Sequence, residues 1–402
     1  MASPAHASSL PAHHARNAAL ACAVVLAVAL GVGRFAFTPL LPLMLKSGAL
    51  DIRHGGWLAS ANYAGYLIGA LSCAAIRVDH ARMVRLALAA TILLTLAMGV
   101  VDLFWLWAAI RFAAGVGSAW AFVFASQWGL RRLAELDAHG LGGVIYAGPG
   151  VGIVATGLLG AVAAALDVPA PSVWIGFALC SGVAGVIVWK AFAHRAPAAR
   201  SQARSADNTP PASTRADSIG LVGLYSLAGF GYIITATFLP VIARQALPGS
   251  PWPDLFWPAF GLALIAGALI AARLPLSWDN RLLSAACYVI QALGICLGIV
   301  FPTALGFGLG SLLLGLPFTA ITLFAMREAR RLRGEAAAGL MGYATAAYGL
   351  GQIVGPLVAA PIAEHTGSFS IALWIAVAAL ALGAAGLAWL GMRGTLHAAK
   401  RA

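Results

Sequence analysis

Apolar runs separated by short polar interruptions recur along almost the whole chain, and each run is long enough to cross a bilayer as a helix. The pattern predicts twelve spans, near residues 18–45, 55–76, 84–102, 104–129, 143–166, 171–193, 219–243, 255–274, 282–301, 303–326, 336–362 and 368–391. One interruption differs from the rest. His194 to Ser218, "HRAPAARSQARSADNTPPASTRADS", is polar, basic and rich in Pro, Ser and Ala, and reads as a flexible linker. It sets the expected organisation: a polar tail at 1–16, six spans within 17–193, the linker at 194–218, six spans within 219–392, and a second tail at 393–402.

The two halves repeat one another. Gly31-x-Gly33 with Pro42 recurs as Gly229-x-Gly231 with Pro240, and Gly69-Ala-Leu recurs as Gly267-Ala-Leu, both at an offset of 198. Gly140-Leu, Gly143, Gly150 and Gly152 recur as Gly339-Leu, Gly342, Gly349 and Gly351 at an offset of 199. A near-constant offset over three segments predicts a duplicated six-helix unit. The expected fold is an all-α membrane protein of twelve transmembrane helices in two six-helix bundles.

Composition agrees. The chain is 61% hydrophobic and 9% charged, whereas soluble domains carry about 25% charged residues. Residues 1–16 are polar and His-rich, and the apolar run after them is too long for the core of a cleavable signal. The net charge of +12 changes meaning once the spans are drawn. Of the 25 Lys and Arg, 20 fall on the side that holds both ends of the chain, three (Lys46, Arg53 and Arg244) on the other, and two inside the membrane. That bias places both termini in the cytoplasm and removes any need for a nucleic-acid partner. Trp57, Trp105, Trp174, Trp252 and Trp374 near outer ends, with Trp128, Trp189, Trp278 and Trp389 near inner ends, read as an interfacial belt. Cys22, Cys73, Cys180, Cys287 and Cys296 lie within apolar runs without metal-ligand spacing and read as small buried side chains, so no metal and no cofactor is expected.

The chain resembles the major facilitator superfamily over nearly its whole length. Its opening, "GVGRFAFTPLLPLM" followed by "GWLASANYAGYLIGAL", is similar to the YbfB/YjiJ-type subgroup of bacterial transporters. The loop after span 2, "AAIRVDHARMVR", retains Asp79 and Arg85 of the superfamily's gating pattern but has Ala75 and Arg82 where glycines belong. Span 4 matches the pattern Arg-x-x-x-Gly-x-Gly with Arg111, Gly115 and Gly117. Span 5 carries Gly148-Pro149 and Gly152 of a motif associated with antiporters, with Ile153 in place of its last glycine. The resemblance implies a central pathway lined by spans 1, 4, 7 and 10, with alternating access and proton coupling.

Arg34 and Arg111 are the two basic residues inside the membrane, where each costs about 2.5–3.5 kcal/mol to insert and calls for a partner. At about 1.5 Å per residue they reach similar depths. None of the 13 acidic residues lies centrally in a predicted span. Two readings stand for Arg34: it meets a substrate anion, for which a guanidinium is suited, or it donates to backbone carbonyls freed by Pro39, Pro42 and the neighbouring glycines. Arg111 either faces the same pathway or ties helices together. Thr38, Asn62, Tyr66, Tyr232 (the repeat position of Arg34), Thr319, Tyr348 and Gln352 complete the candidate lining, or else they bond helices to one another. Glu364 and His365, adjacent near the outer end of span 11, are groups that could titrate.

The expectation is a monomeric secondary transporter in the bacterial cytoplasmic membrane, moving a small organic solute, with a mild preference for an anion, and favouring export. An integral-membrane enzyme lacks the buried His, Asp, Glu or metal cluster that its chemistry would use. A primary pump lacks a phosphate-binding loop. A transport-fold sensor that binds without flux is the remaining alternative.

Overall fold

The computed structural model describes residues 9–192, 212–275, 277–334 and 337–399. Among these the chain is helical, with no strand. The first span is α1 (Ser9–Leu26), a π-helical segment (Ala27–Val32), a turn, and α2 (Phe37–Lys46). Then follow α3 (Ile52–Ser72), α4 (His80–Val100), α5 (Phe104–Glu135), α6 (Gly142–Ala165) and α7 (Ala170–Trp189). The second half comprises α8 (Ala212–Ala246), α9 (Pro253–Ala271), α10 (Asn280–Val300), a tenth span divided at Leu316-Pro317 into α11 (Ala304–Gly315) and α12 (Phe318–Arg333), α13 (Ala337–Thr366) and α14 (Ser370–Ala399). Eleven spans are long and apolar enough to cross a membrane by composition alone. The twelfth, α3, is less apolar because it carries Ser60, Asn62, Tyr63 and Tyr66, whose partners are described below.

Several helices outrun the predicted spans. Helix α1 begins within the predicted tail, α14 continues past residue 392, and residues 212–218 of the predicted linker are the first turns of α8. The rest of that linker, 194–211, lies outside the described residues. Polar residues at these ends let the helices continue into the interfacial layer, so hydrophobicity alone stops them too early.

Glycine sets how closely the helices approach, and the duplicated pattern becomes duplicated contacts. A Cβ on Gly65 would strike the Phe112 carbonyl and one on Gly115 the Asn62 carbonyl, so α3 and α5 pack backbone to backbone. In the second half Gly267 meets the Leu316 carbonyl and Gly315 the Phe260 carbonyl, the same crossing between α9 and α11. Gly31 and Gly152 press the π segment against α6; Gly229 meets the Tyr348 carbonyl and Gly351 the Ser226 carbonyl, joining α8 to α13 in the same way. The two bundles then meet along α6 with α9, where Gly150 lies against the Gly261 carbonyl and Gly157 against Pro258, and along α3 with α13, where Gly56 lies against Ala360.

Two readings of side-chain placement need correction. Trp128 and Trp174 are buried in the core, whereas the other seven tryptophans of the predicted belt are exposed. Only Cys22 and Cys287 are buried; Cys180 is exposed, and Cys73 and Cys296 are half-buried. A helix in lipid gains nothing by hiding a small apolar thiol, so both placements are stable.

Candidate functional site

The first span breaks where glycines and prolines converge. The π segment ends at Val32, and the turn that follows carries Gly33 and Arg34. The amide of Thr38 reaches back to the Phe35 carbonyl rather than to Arg34, which leaves the carbonyls of Gly33 and Arg34 without their helical partners. Arg111 on α5 supplies the missing donors: Nη1 donates to the Gly33 carbonyl at 3.1 Å and Nη2 to the Arg34 carbonyl at 3.0 Å. Its guanidinium lies 4.9 Å from the Phe37 ring centroid, and the residue is 2% exposed. Asn62 closes the junction, with Nδ2 donating to the Arg111 carbonyl at 2.8 Å and approaching the Gly33 carbonyl at 3.5 Å. The role of capping freed carbonyls, foreseen for Arg34, is therefore filled by Arg111. A charge-assisted hydrogen bond contributes about 1.5–3 kcal/mol, so two of them offset what an arginine at depth costs.

That leaves Arg34 free to point elsewhere. Its side chain turns toward the second bundle and is 4% exposed. Nη2 donates to Oε1 of Gln352 on α13 at 2.8 Å, while Nε has no hydrogen-bond partner. The guanidinium lies 4.1 Å from the Tyr66 ring centroid, with Tyr63 at 5.0 Å and Phe35 at 5.3 Å. Among the described residues no carboxylate forms an ion pair with Arg34 or Arg111. Stacking on an aromatic face returns about 0.5–2 kcal/mol, which balances the charge only in part.

Gln352 also binds Tyr232, its Nε2 donating to the phenol oxygen. Arg34 and Tyr232 are repeat mates, so equivalent positions of the two halves converge on one amide. Thr38 does the same, donating to the carbonyl of its own repeat mate Ala236 at 3.0 Å. Tyr63 with Thr237 at 2.9 Å and Ser60 with the Ile353 carbonyl at 2.8 Å add two more bonds between the bundles. These bonds lie at the depth of Arg34 and on toward the end of the molecule remote from the termini. Toward the terminal end one face of α13 is open: a Cβ on Gly339 or Gly342 would meet nothing within 4 Å, and Tyr343 is 72% exposed, while Ala337, Leu340 and Ala344 on the other face are buried.

Tyrosines form the floor of this junction. Tyr348 stacks on Tyr225 at 4.5 Å and 23° and on Tyr232 at 5.9 Å and 18°. Tyr225 donates to Thr322 at 3.0 Å, Phe318 lies edge-on to Tyr232, and the hydroxyl of half-buried Thr319 has no partner. Of the candidate lining, Tyr66, Tyr232, Tyr348 and Gln352 assemble around Arg34, Thr38 bonds the facing span one turn on, and Arg111 and Asn62 serve the break. Sequence reasoning missed Ser60, Tyr63, Tyr225 and Phe318, whose partners lie 86 to 293 residues away in the chain.

A family model described as "Uncharacterised MFS-type transporter YbfB" matches residues 26–388. The chain belongs to this family of MFS-type transporters. Among solved structures it is similar to a mutant form of the nucleoside transporter NupG, with a TM-score of 0.76 at 13% identity over 93% of this chain and 99% of that one. At that identity the likeness is one of fold. No curated protein matches.

As a YbfB-type transporter the chain departs from the superfamily's gating pattern in its structure too. Asp79 caps α4, accepting from the backbone amide of Arg82 at 3.1 Å, and Arg85 lies 5.8 Å from the Trp189 ring centroid. The two are not brought together. The repeat position, Asp279, carries a charge cluster instead. It caps α10 and pairs with Arg281 at 2.8 Å; Glu328 on α12 holds Arg331 through both carboxylate oxygens and lies 3.7 Å from Arg281. Burial works against the Asp279 carboxylate, but hydrogen bonds from the side chain and amide of Arg281 outweigh it and hold the carboxyl below its ordinary value. Glu328 lies beyond the predicted end of span 10 at residue 326, yet it is helical. It is 2% exposed within α12, because the tenth span continues to Arg333. Gly148 and Gly152 of the fifth span pack against the first span, and Pro149 is buried beside them.

Proposed function

We propose that this transporter moves a small organic solute, preferentially an anion, across the cytoplasmic membrane of a bacterium by alternating access, as a monomer with both termini in the cytoplasm. The observation that carries the anion is Arg34: buried, at mid-depth, with Nε unpaired and no carboxylate within ion-pair distance among the described residues. A guanidinium so placed is ready for bidentate contact with a carboxylate or phosphate. The distribution of Lys and Arg, 20 to three, supports the orientation. The Gly148-Pro149 motif supports efflux, and the family likeness supports coupling to protons.

The test is counterflow in proteoliposomes after thermal-shift screening against carboxylates, amino acids, sugars and cationic compounds. Anions are expected to exchange, with flux lost in Arg34→Ala and reduced in Arg34→Lys. Flux that survives both substitutions in folded protein removes the anion role. Binding without exchange would favour the sensor reading. An outward gradient that is unaffected by a proton ionophore would remove proton coupling.

A further inference from the structure

We infer that the solute is a planar aromatic carboxylate, its carboxylate on Arg34 and its ring against Tyr348 and Tyr66. This rests on the reading of Arg34 as the anion site and goes beyond it by naming the rest of the molecule.

The argument begins with what surrounds the charge. With no carboxylate paired to Arg34 and a Tyr66 face already occupied by its guanidinium, an ammonium group would meet a like charge without a counter-charge, so amines and zwitterionic amino acids are poorly matched. Polyols fare little better. Most of the neighbouring polar groups are already committed, Gln352 to Arg34 and Tyr232, and Tyr225 to Thr322, which leaves the Thr319 hydroxyl. A sugar would enter with several hydroxyls and leave most of them unpaired, at about 1–3 kcal/mol for each buried group. What the site offers in quantity is aromatic surface. Tyr348 is stacked between Tyr225 and Tyr232 and leaves its edge for an edge-to-face contact, and Tyr66 holds the guanidinium on one face. Tyr225 and Tyr232 are buried, whereas Tyr348 and Tyr66 are half-buried, so these two rings are the ones an arriving molecule meets. A ring slid against them replaces contacts of the kind Arg34 and the tyrosines make with one another, and its carboxylate supplies the counter-charge the guanidinium lacks. Aromatic pairing adds about 0.5–1.5 kcal/mol beyond the area buried.

The experiment measures labelled benzoate counterflow into proteoliposomes holding unlabelled benzoate. The external competitors are cyclohexanecarboxylate, which has the charge and bulk without the π face, and benzyl alcohol, which has the ring without the charge. Benzoate is expected to exchange, cyclohexanecarboxylate to compete about three- to tenfold more weakly than benzoate, and benzyl alcohol not to compete. Tyr348→Leu should erase the difference between the two carboxylates, whereas Tyr348→Phe, which keeps the ring, should retain it. Equal competition by the two carboxylates in the parent protein, or no benzoate flux while aliphatic carboxylates exchange in an Arg34-dependent way, overturns the aromatic inference and leaves the anion reading in place. Absence of Arg34-dependent flux for every carboxylate overturns both.

Discussion

Arg34 and Arg111 carry the same charge at nearly the same depth, yet their surroundings assign them opposite consequences when removed. Arg111 satisfies two carbonyls that the break in the first span cannot satisfy itself. Arg111→Ala leaves both buried and unpaired, which predicts a loss of about 2–5 kcal/mol. The expected readout is a lowered apparent melting temperature in detergent, with the parent's substrate unable to restore it. Arg34 makes one hydrogen bond and an aromatic stack, and its burial is only partly compensated. Arg34→Ala is therefore expected to leave stability within about 1 kcal/mol of the parent, because a desolvated charge disappears together with its contacts. Flux should be abolished. Equal destabilisation by the two substitutions would make Arg34 a structural residue like its neighbour.

Between helices the deciding quantity is how closely two backbones approach, and one short motif contains both extremes. Gly115 and Gly117 lie two residues apart on α5 and both belong to the pattern that Arg111 opens. A methyl at Gly115 would strike the Asn62 carbonyl, while at Gly117 its nearest neighbours would be Thr91 Oγ1 at 3.7 Å and the Ala87 carbonyl at 3.8 Å, an ordinary contact. Gly115→Ala is expected to part α3 from α5, disturb Asn62, and cost about 1–3 kcal/mol. Gly117→Ala is expected to be neutral or to stabilise by up to about 1 kcal/mol through helix propensity. Thermal unfolding of the pair checks this, and a severe Gly117→Ala would show that the glycine serves motion rather than packing. A second element-scale expectation concerns Asp279. Its native pKa is lowered, so its contribution is present above the ordinary carboxylate value and fades as pH falls through the native one. Asp279→Asn should therefore lower stability near neutrality and remove that part of the acid sensitivity. At this scale the sequence was informative where periodicity and repetition speak. The twelve spans and their division into two six-helix halves follow from apolar run length and an offset near 198. It was silent where a helix departs from regularity. The carbonyls of Gly33 and Arg34 need a donor only because the span turns there, so the division of labour between the arginines had no trace in residue type. Glu328 was hidden for a related reason: it sits in an arginine-rich run that reads as a loop until α12 is seen to continue through it.

Across the whole molecule the two bundles behave as repeat mates meeting near a shared axis, and the bonds between them are unevenly spread. Ser60, Tyr63 and Thr38 each bridge the halves on the side of Arg34 remote from the termini, whereas toward the terminal end the α13 face that carries Gly339, Gly342 and Tyr343 is open. This distribution assigns closure at the far end to three identifiable hydrogen bonds, while toward the terminal end the bundles stay in contact through α6 and α9, where Gly143 lies against Leu269 and Ala272. In a membrane such bonds contribute about 0.6 kcal/mol each. Removing all three in Ser60→Ala, Tyr63→Phe, Thr38→Val would then shift the balance toward the oppositely open form about twentyfold if the contributions add. Ala360 reports on that shift. It is fully buried, and its side chain lies against Gly56 of α3 across the bundle boundary. With the five native cysteines replaced and Ala360→Cys introduced, a membrane-impermeant maleimide added on the far side reaches the thiol only when the halves separate there. The triple substitution is expected to speed labelling by about tenfold or more while leaving the melting temperature nearly unchanged, because each bundle keeps its own packing. An unchanged labelling rate would mean that closure is held by the glycine-lined contacts of α3 with α13 rather than by these side chains.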